Sequence, residues 1–176
     1  HFIDYWSDIN TPTQVRLFTS GGVEVRVIDA NLVDALKEYE LGRTELIPVK
    51  TRNGFNMEAL MIRPPGFDPS RKYPVLINVY GGPHAQLVQN AWGSTNYLWH
   101  QMMAQMGYVI WICDNRTSSG KGIESTWPMF RNAGEGELRD IEDGLDWLSR
   151  QTFVDSGRIG LWGWSYGGFM TAYALT

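Results

Sequence analysis

The chain has 176 residues, with 43% hydrophobic, 19% charged and 13% aromatic side chains, eight of them Trp. That composition is globular, rich in large side chains that need burial, and it excludes a disordered chain. The formal net charge of -4 and the lack of any basic run remove the electrostatic footprint of a nucleic-acid or anionic-membrane binder, and no stretch approaches the roughly 18 to 20 apolar residues of a membrane span.

The chain opens on His1 and closes at Thr176 inside the apolar run from Phe169 to Leu175, which reads as helix without a stop signal. The expectation is a fragment cut at both ends. Residues 1–29 hold two antiparallel strands, Gln14 to Leu17 and Val23 to Val27, split by the hairpin residues Ser20-Gly21-Gly22. Asn31 is expected to cap a short helix from Leu32 to Tyr39 that closes near Gly42, a connector between domains.

From Glu45 the pattern changes. Leu46 to Lys50 and Met57 to Ile62 flank Asn53-Gly54 as a second hairpin, ended by Pro64-Pro65-Gly66. Val75 to Tyr80 and Tyr108 to Cys113 are nearly continuous apolar runs, as strands buried on both faces of a parallel sheet require. Between them Leu98, Met102 and Met106 recur at helical spacing, with Gly107 as the stop. Cys113 lies within an apolar run and reads as a small buried hydrophobe.

Leu138, Ile141, Leu145 and Leu148 mark the apolar stripe of the next helix. Its acids, Glu137, Asp140, Glu142, Asp143 and Asp146, are read as a solvated face rather than a metal cluster, because no His or Cys accompanies them at ligand spacing. Arg158 to Gly163 is a further strand, and Ser165 opens a further helix. Strands alternating with helices predict an α/β fold with a largely parallel, crossover-connected sheet.

Gly163-Trp164-Ser165-Tyr166-Gly167 is a G-x-S-x-G turn between a strand and a helix, the context in which the motif presents a nucleophile. A serine hydroxyl is a weak nucleophile and must stand exposed on a sharp turn within reach of a base. Ser165 is therefore the candidate nucleophile, and the Tyr166 backbone amide at the helix start is a candidate oxyanion donor. Tyr80-Gly81-Gly82-Pro83-His84 follows another buried strand, where hydrolases of this architecture place a second donor. On the residues alone, the Tyr80 phenol is either that donor or a structural strand-end aromatic. His1, His84 and His100 are not favoured as the base. The order Ser, acid, His puts both partners beyond Thr176.

Gly163 to Gly168 resembles the nucleophile signature of the prolyl oligopeptidase family, specifically its dipeptidyl peptidase IV and prolyl tripeptidyl aminopeptidase branch. Val79 to Gln86 is similar to the oxyanion segment of that branch, and Phe67 to Pro74 and Asp114-Asn115-Arg116 extend the resemblance. Thr117 departs from it, since the family usually has glycine there, and Arg116 reads as structural.

The resemblance implies an incomplete α/β-hydrolase fold over residues 43–176, truncated after the nucleophile helix. Residues 1–42 would be the last strands of a β-propeller and a connector. It assigns the Tyr80 hydroxyl to the oxyanion hole and implies a serine peptidase cleaving short peptides after proline near the N-terminus, without cofactor or metal. Its partner would be a peptide substrate rather than nucleic acid or membrane. A homodimeric parent in a periplasmic, secreted or membrane-anchored location goes with the family. The alternatives are an acylaminoacyl peptidase or esterase on the same fold, or an inactive truncated chain.

Overall fold

The computed structural model describes residues 1–93 and 96–176. Two sheets form. β1 (Phe2–Trp6), β2 (Gln14–Phe18) and β3 (Glu24–Asp29) pair antiparallel in the order β1-β2-β3. The expected hairpin is β2/β3, with the turn closed by Gly22 N–H donating to the Thr19 carbonyl at 3.0 Å. β1 is an additional strand, and its Phe2 ring stacks on Phe18 directly across the register. No residue between 1 and 40 is buried, so this sheet has little apolar cover of its own.

The connector is a 3-10 turn, Asp34–Glu38, rather than a helix from Leu32 to Tyr39. Asn31 does not cap it. Its φ is +46° and its side-chain amide donates to the Thr13 carbonyl at 2.9 Å, so the asparagine tolerates a left-handed bend and ties the turn back to the start of β2.

The second sheet comprises β4 (Arg43–Lys50), β5 (Asn56–Arg63), β6 (Tyr73–Asn78), β7 (Val109–Asp114) and β8 (Val154–Trp162), in the order β4-β5-β7-β6-β8. The hairpin β4/β5 and the β5/β7 pairing are antiparallel, whereas β7/β6 and β6/β8 are parallel. The sheet is thus mixed, its parallel part confined to the three strands joined by helical crossovers. α1 (Tyr97–Gln105) links β6 to β7, and α3 (Glu135–Ser149) links β7 to β8 after the short α2 (Ile123–Thr126) and a 3-10 turn, Trp127–Met129. The two crossovers run in opposite directions from the centre of the sheet. A constant right-handed connection therefore sets α1 and α3 on opposite faces.

Alternation along the strands divides the core accordingly. Met57, Ala59, Met61, Val109, Trp111 and Cys113 face α3 and α4 (Tyr166–Tyr173) together with Ile141, Leu148 and Met170. Leu60, Ile62, Ile110 and Ile112 face α1 through Ala104. Gly144 brings α3 close to the sheet, since a Cβ there would stand 3.4 to 3.7 Å from the side chains of Met57, Trp111 and Cys113. Cys113 is buried as expected, and burial pushes its thiol up to about 12. No helix among the described residues is long and apolar enough to cross a membrane.

Two expectations reverse on this frame. On α1 the Leu98, Met102 and Met106 stripe is exposed, while Tyr97, His100, Gln101 and Ala104 are buried. Polar residues occupy the inner face because they have partners there: the Gln101 side chain accepts from Gly42 N–H at 2.6 Å and donates to the Tyr97 hydroxyl at 3.1 Å. On α3, Glu137 and Asp140 are 0% exposed and Asp143 is 8% exposed, so these acids are not on a solvated face. Asp140 grips Arg116 with both carboxylate oxygens, at 2.5 and 2.9 Å, and Asp143 accepts from the Arg52 backbone and guanidinium. Glu142 and Asp146 are exposed.

Removing one partner of a buried pair leaves the other charge uncompensated. Arg116, however, keeps part of its side chain in solvent and a hydrogen bond to Asn53. Asp140→Ala should therefore lower stability by about 1.5–3 kcal/mol, the worth of a charged hydrogen bond, against about 0.5 kcal/mol or less for exposed Asp146→Ala, in urea unfolding. His100, 1% exposed against Trp162, has its pKa pressed by burial from 6.5 to about 4. The unfolded chain therefore takes up this proton first as pH falls. The contribution to stability is complete above about pH 6.5 and declines toward pH 4. Histidine hydrogen–deuterium exchange followed by mass spectrometry should find His100 neutral down to near pH 4; a midpoint near 6.5 would contradict its burial.

Candidate active site

β6 and β8 are parallel neighbours, so their carboxyl ends emerge side by side, the place where open α/β sheets bind ligands. Asn78 pairs with Trp162 in the last register position, and Val79 N–H extends the ladder to the Trp162 carbonyl at 3.0 Å. The next residues on the two strands are Tyr80 and the turn Gly163-Trp164-Ser165. This register brings the two sequence-predicted segments together.

The turn is tight enough to require its glycines. A Cβ on Gly163 would lie 2.5 Å from the Val79 carbonyl oxygen and 2.6 Å from Gly167 backbone atoms, and one on Gly167 would collide with the same Val79 carbonyl. Ser165 itself has φ +58° and ψ -120°, a conformation costly for a residue with a side chain. It occupies the N-cap position of α4, yet its hydroxyl makes no capping hydrogen bond. An ordinary N-cap serine spends its oxygen on the helix amides. Here the side chain is exposed and its hydroxyl is not consumed by the helix.

Tyr166 N–H, the first amide of α4, has no protein acceptor among the described residues, as expected of a helix start. The Tyr166 ring packs over the glycine turn, where a Cβ on Gly82 would meet Tyr166 Cγ at 3.0 Å, and lies 6.2 Å from the Tyr80 ring between centroids. The Tyr166 hydroxyl donates to Glu137 Oε1 at 2.8 Å, and burial and this carboxylate push its pKa up, so it stays protonated. Ser165, Tyr80 and Tyr166 thus share one end of the sheet. No hydrogen bond engages the Tyr80 hydroxyl among the described residues.

The glycine turn is braced from β7. Gly81, at φ +74°, has its carbonyl held by Asn115 Nδ2 at 3.0 Å and Thr117 Oγ1 at 2.9 Å, and His84 N–H donates to the Thr117 carbonyl at 3.0 Å. Thr117, the departure from the family pattern, is 1% exposed and uses its hydroxyl to pin this turn. Asp114 holds the next residues by accepting from the Leu87 and Val88 amides, and burial raises its pKa to about 6.

His84 is exposed on its loop, and His100 is buried beneath Trp162 with its ring 3.4 Å from the Asn78 amide. Neither hydrogen-bonds Ser165 among the described residues. No group of His, Cys, Asp and Glu there could hold a metal. The residues that sequence reasoning missed are Glu137, Asp140 and Asn115. The available signal was Gly144, which marks the sheet-facing side of α3 and places Glu137, Asp140 and Ile141 on that side by helical spacing. Gly163→Ala should force β8 and β6 apart at this end, costing about 1–3 kcal/mol by overpacking and, in the protein at its full natural length, abolishing labelling of Ser165 by a fluorophosphonate, read by mass spectrometry.

The prolyl oligopeptidase family profile matches residues 95–176. The chain is 34% identical to dipeptidyl peptidase 4 of Trichophyton equinum, covering 99% of this chain and 23% of that protein. It is 35% identical to human dipeptidyl peptidase 8, over 74% of this chain and 15% of that one. The crystal structure of Porphyromonas gingivalis dipeptidyl peptidase 4 superposes with a TM-score of 0.87 at 34% identity, over 98% of this chain and 25% of that structure. The chain therefore spans about a quarter or less of the length of these relatives. With its mixed α/β fold, its sequence and its strand-end serine turn in agreement, the chain belongs to the prolyl oligopeptidase family.

Proposed function

We propose that this chain supplies the nucleophile and oxyanion hole of a serine peptidase that cleaves short peptides after a proline near the N-terminus. The observation that carries this reading is Ser165 held at positive φ on a glycine-packed turn, beside Tyr80, with its hydroxyl left out of helix capping. The names of the dipeptidyl peptidase relatives support the substrate class.

In this mechanism Ser165 Oγ attacks the carbonyl carbon of the prolyl residue while its proton passes to a general base. The new C–O bond converts the carbonyl to a tetrahedral oxyanion, which accepts from the Tyr80 hydroxyl and Tyr166 N–H. Collapse breaks the C–N bond, the departing amine takes the proton, and water then hydrolyses the prolyl ester on Ser165. Residues 43–176 are read as the first part of an α/β-hydrolase domain and residues 1–42 as the end of a β-propeller with its connector. The half-buried Leu161 and Trp162 of edge strand β8, and a β1–β3 sheet in which no residue is buried, support that division.

The test is hydrolysis of Ala-Pro-anilide, Ala-Ala-Pro-anilide and acetyl-Ala-anilide by the protein in its full natural length. The prolyl anilides should be cleaved and the acetylated one spared. Ser165→Ala should lower kcat by on the order of 10⁶, and Tyr80→Phe by about 10²–10³. Unchanged turnover in Ser165→Ala would sink the nucleophile assignment, and preference for acetyl-Ala-anilide would move the activity to the acylaminoacyl class.

A further inference from the structure

Glu137 is a fully buried acid whose role neither helix stability nor the proposed chemistry accounts for. Its Oε2 accepts from Gly134 N–H at 3.1 Å, which serves the start of α3. Its Oε1 is spent elsewhere, on the Tyr166 hydroxyl at 2.8 Å, 29 residues along the chain. No cation pairs with it among the described residues. A buried carboxylate is costly unless donors hold it, and one of the two donors here belongs to the residue directly after Ser165.

The consequence is mechanical. Tyr166 is clamped at its far end by Glu137, at the base of its ring, around Cβ and Cγ, by Gly82, and on its flank by Phe169, whose ring lies 5.2 Å away between centroids. Gly134 lies against the same surface, since a Cβ there would stand 3.2 Å from the rings of Phe169 and Tyr173. Fixing the ring restrains the backbone of residue 166, which carries the candidate oxyanion amide, and the spacing between the Ser165 turn and the Gly81-Gly82 turn that presents Tyr80.

We propose that Glu137 is a positioning residue for the oxyanion hole, acting through the Tyr166 hydroxyl; this rests on reading Ser165 as the nucleophile. Its effect falls on transition-state stabilisation and leaves ground-state binding of the peptide largely untouched.

The experiment measures Ala-Pro-anilide kinetics and thermal unfolding for the full-length protein and its Tyr166→Phe, Glu137→Leu, Glu137→Gln and Tyr166→Phe/Glu137→Leu variants, with Ser165→Ala beside them. Tyr166→Phe keeps every apolar contact and deletes only the hydroxyl, so it decides the matter even where Glu137→Leu folds poorly. Tyr166→Phe and Glu137→Leu should each lower kcat by about ten- to a hundredfold with KM within about twofold. The double variant should be no worse than the poorer single one. Glu137→Gln, which retains a group able to bond the phenol, should recover part of the loss. Wild-type kcat in Tyr166→Phe, or losses that multiply in the double variant, would overturn the proposal. So would losses that follow lowered melting temperature and raised KM together. Activity surviving in Ser165→Ala would instead remove the reading beneath it, whatever the other variants do.

Discussion

The backbone contact between the carboxyl end of β6 and the turn after β8 governs the rest of the site. Gly163 and Gly167 pack onto the Val79 carbonyl at a separation that admits no Cβ on either. This lets the chain reverse from strand to helix within Trp164 and Ser165. The same contact forces Ser165 to positive φ, and that conformation turns its hydroxyl away from the helix amides it would otherwise cap. The exposed hydroxyl thus stands beside the Tyr166 amide, which is left free because it is the first of α4.

A turn this strained persists only where its surroundings over-determine it. The bracing comes from α3, whose buried acids reach three separate loops. Asp143 holds Arg52 in the β4/β5 turn, Asp140 holds Arg116 after β7, and Glu137 holds Tyr166 after β8. Arg116 is followed by Thr117, whose hydroxyl grips the Gly81 carbonyl. A continuous set of hydrogen bonds therefore runs from α3 through the β7 loop to the glycine turn, while a second reaches the nucleophile turn directly. These acids contribute to placement more than to net stability, because each ion pair must first offset the desolvation of its own charges.

The opposite face of the sheet is built on a different basis. There α1 contributes a buried Gln101 that exchanges hydrogen bonds with both the amide and carbonyl of Gly42, and a neutral His100 wedged against Trp162. The Gln101 bonds anchor the end of the connector to α1, whereas His100 packs at the carboxyl ends of β6 and β8. They leave the larger apolar residues Leu98, Met102 and Met106 on the outside.

Much of the molecule was legible in the residues themselves. The Asn53-Gly54 hairpin, the apolar strands from Val75 and Tyr108, the burial of Cys113 and the strand-to-helix setting of Ser165 follow from turn chemistry and periodicity, which are local properties. So was the family, because short motifs such as Gly163 to Gly168 are dictated by backbone contacts that few side chains permit. What remained for the tertiary structure were choices between equivalent local patterns. A helix with both an apolar and a polar stripe can bury either, and α1 and α3 bury acids, amides and a histidine because donors from loops distant in sequence meet them there. The pairing of β6 with β8, which sets Tyr80 beside the Ser165 turn, is likewise a matter of which strand lies next to which. Hydrogen-bond partners 80 residues apart leave no periodic trace, so the sequence by itself determined the chemical parts and their local turns, whereas long-range register decided how those parts face one another.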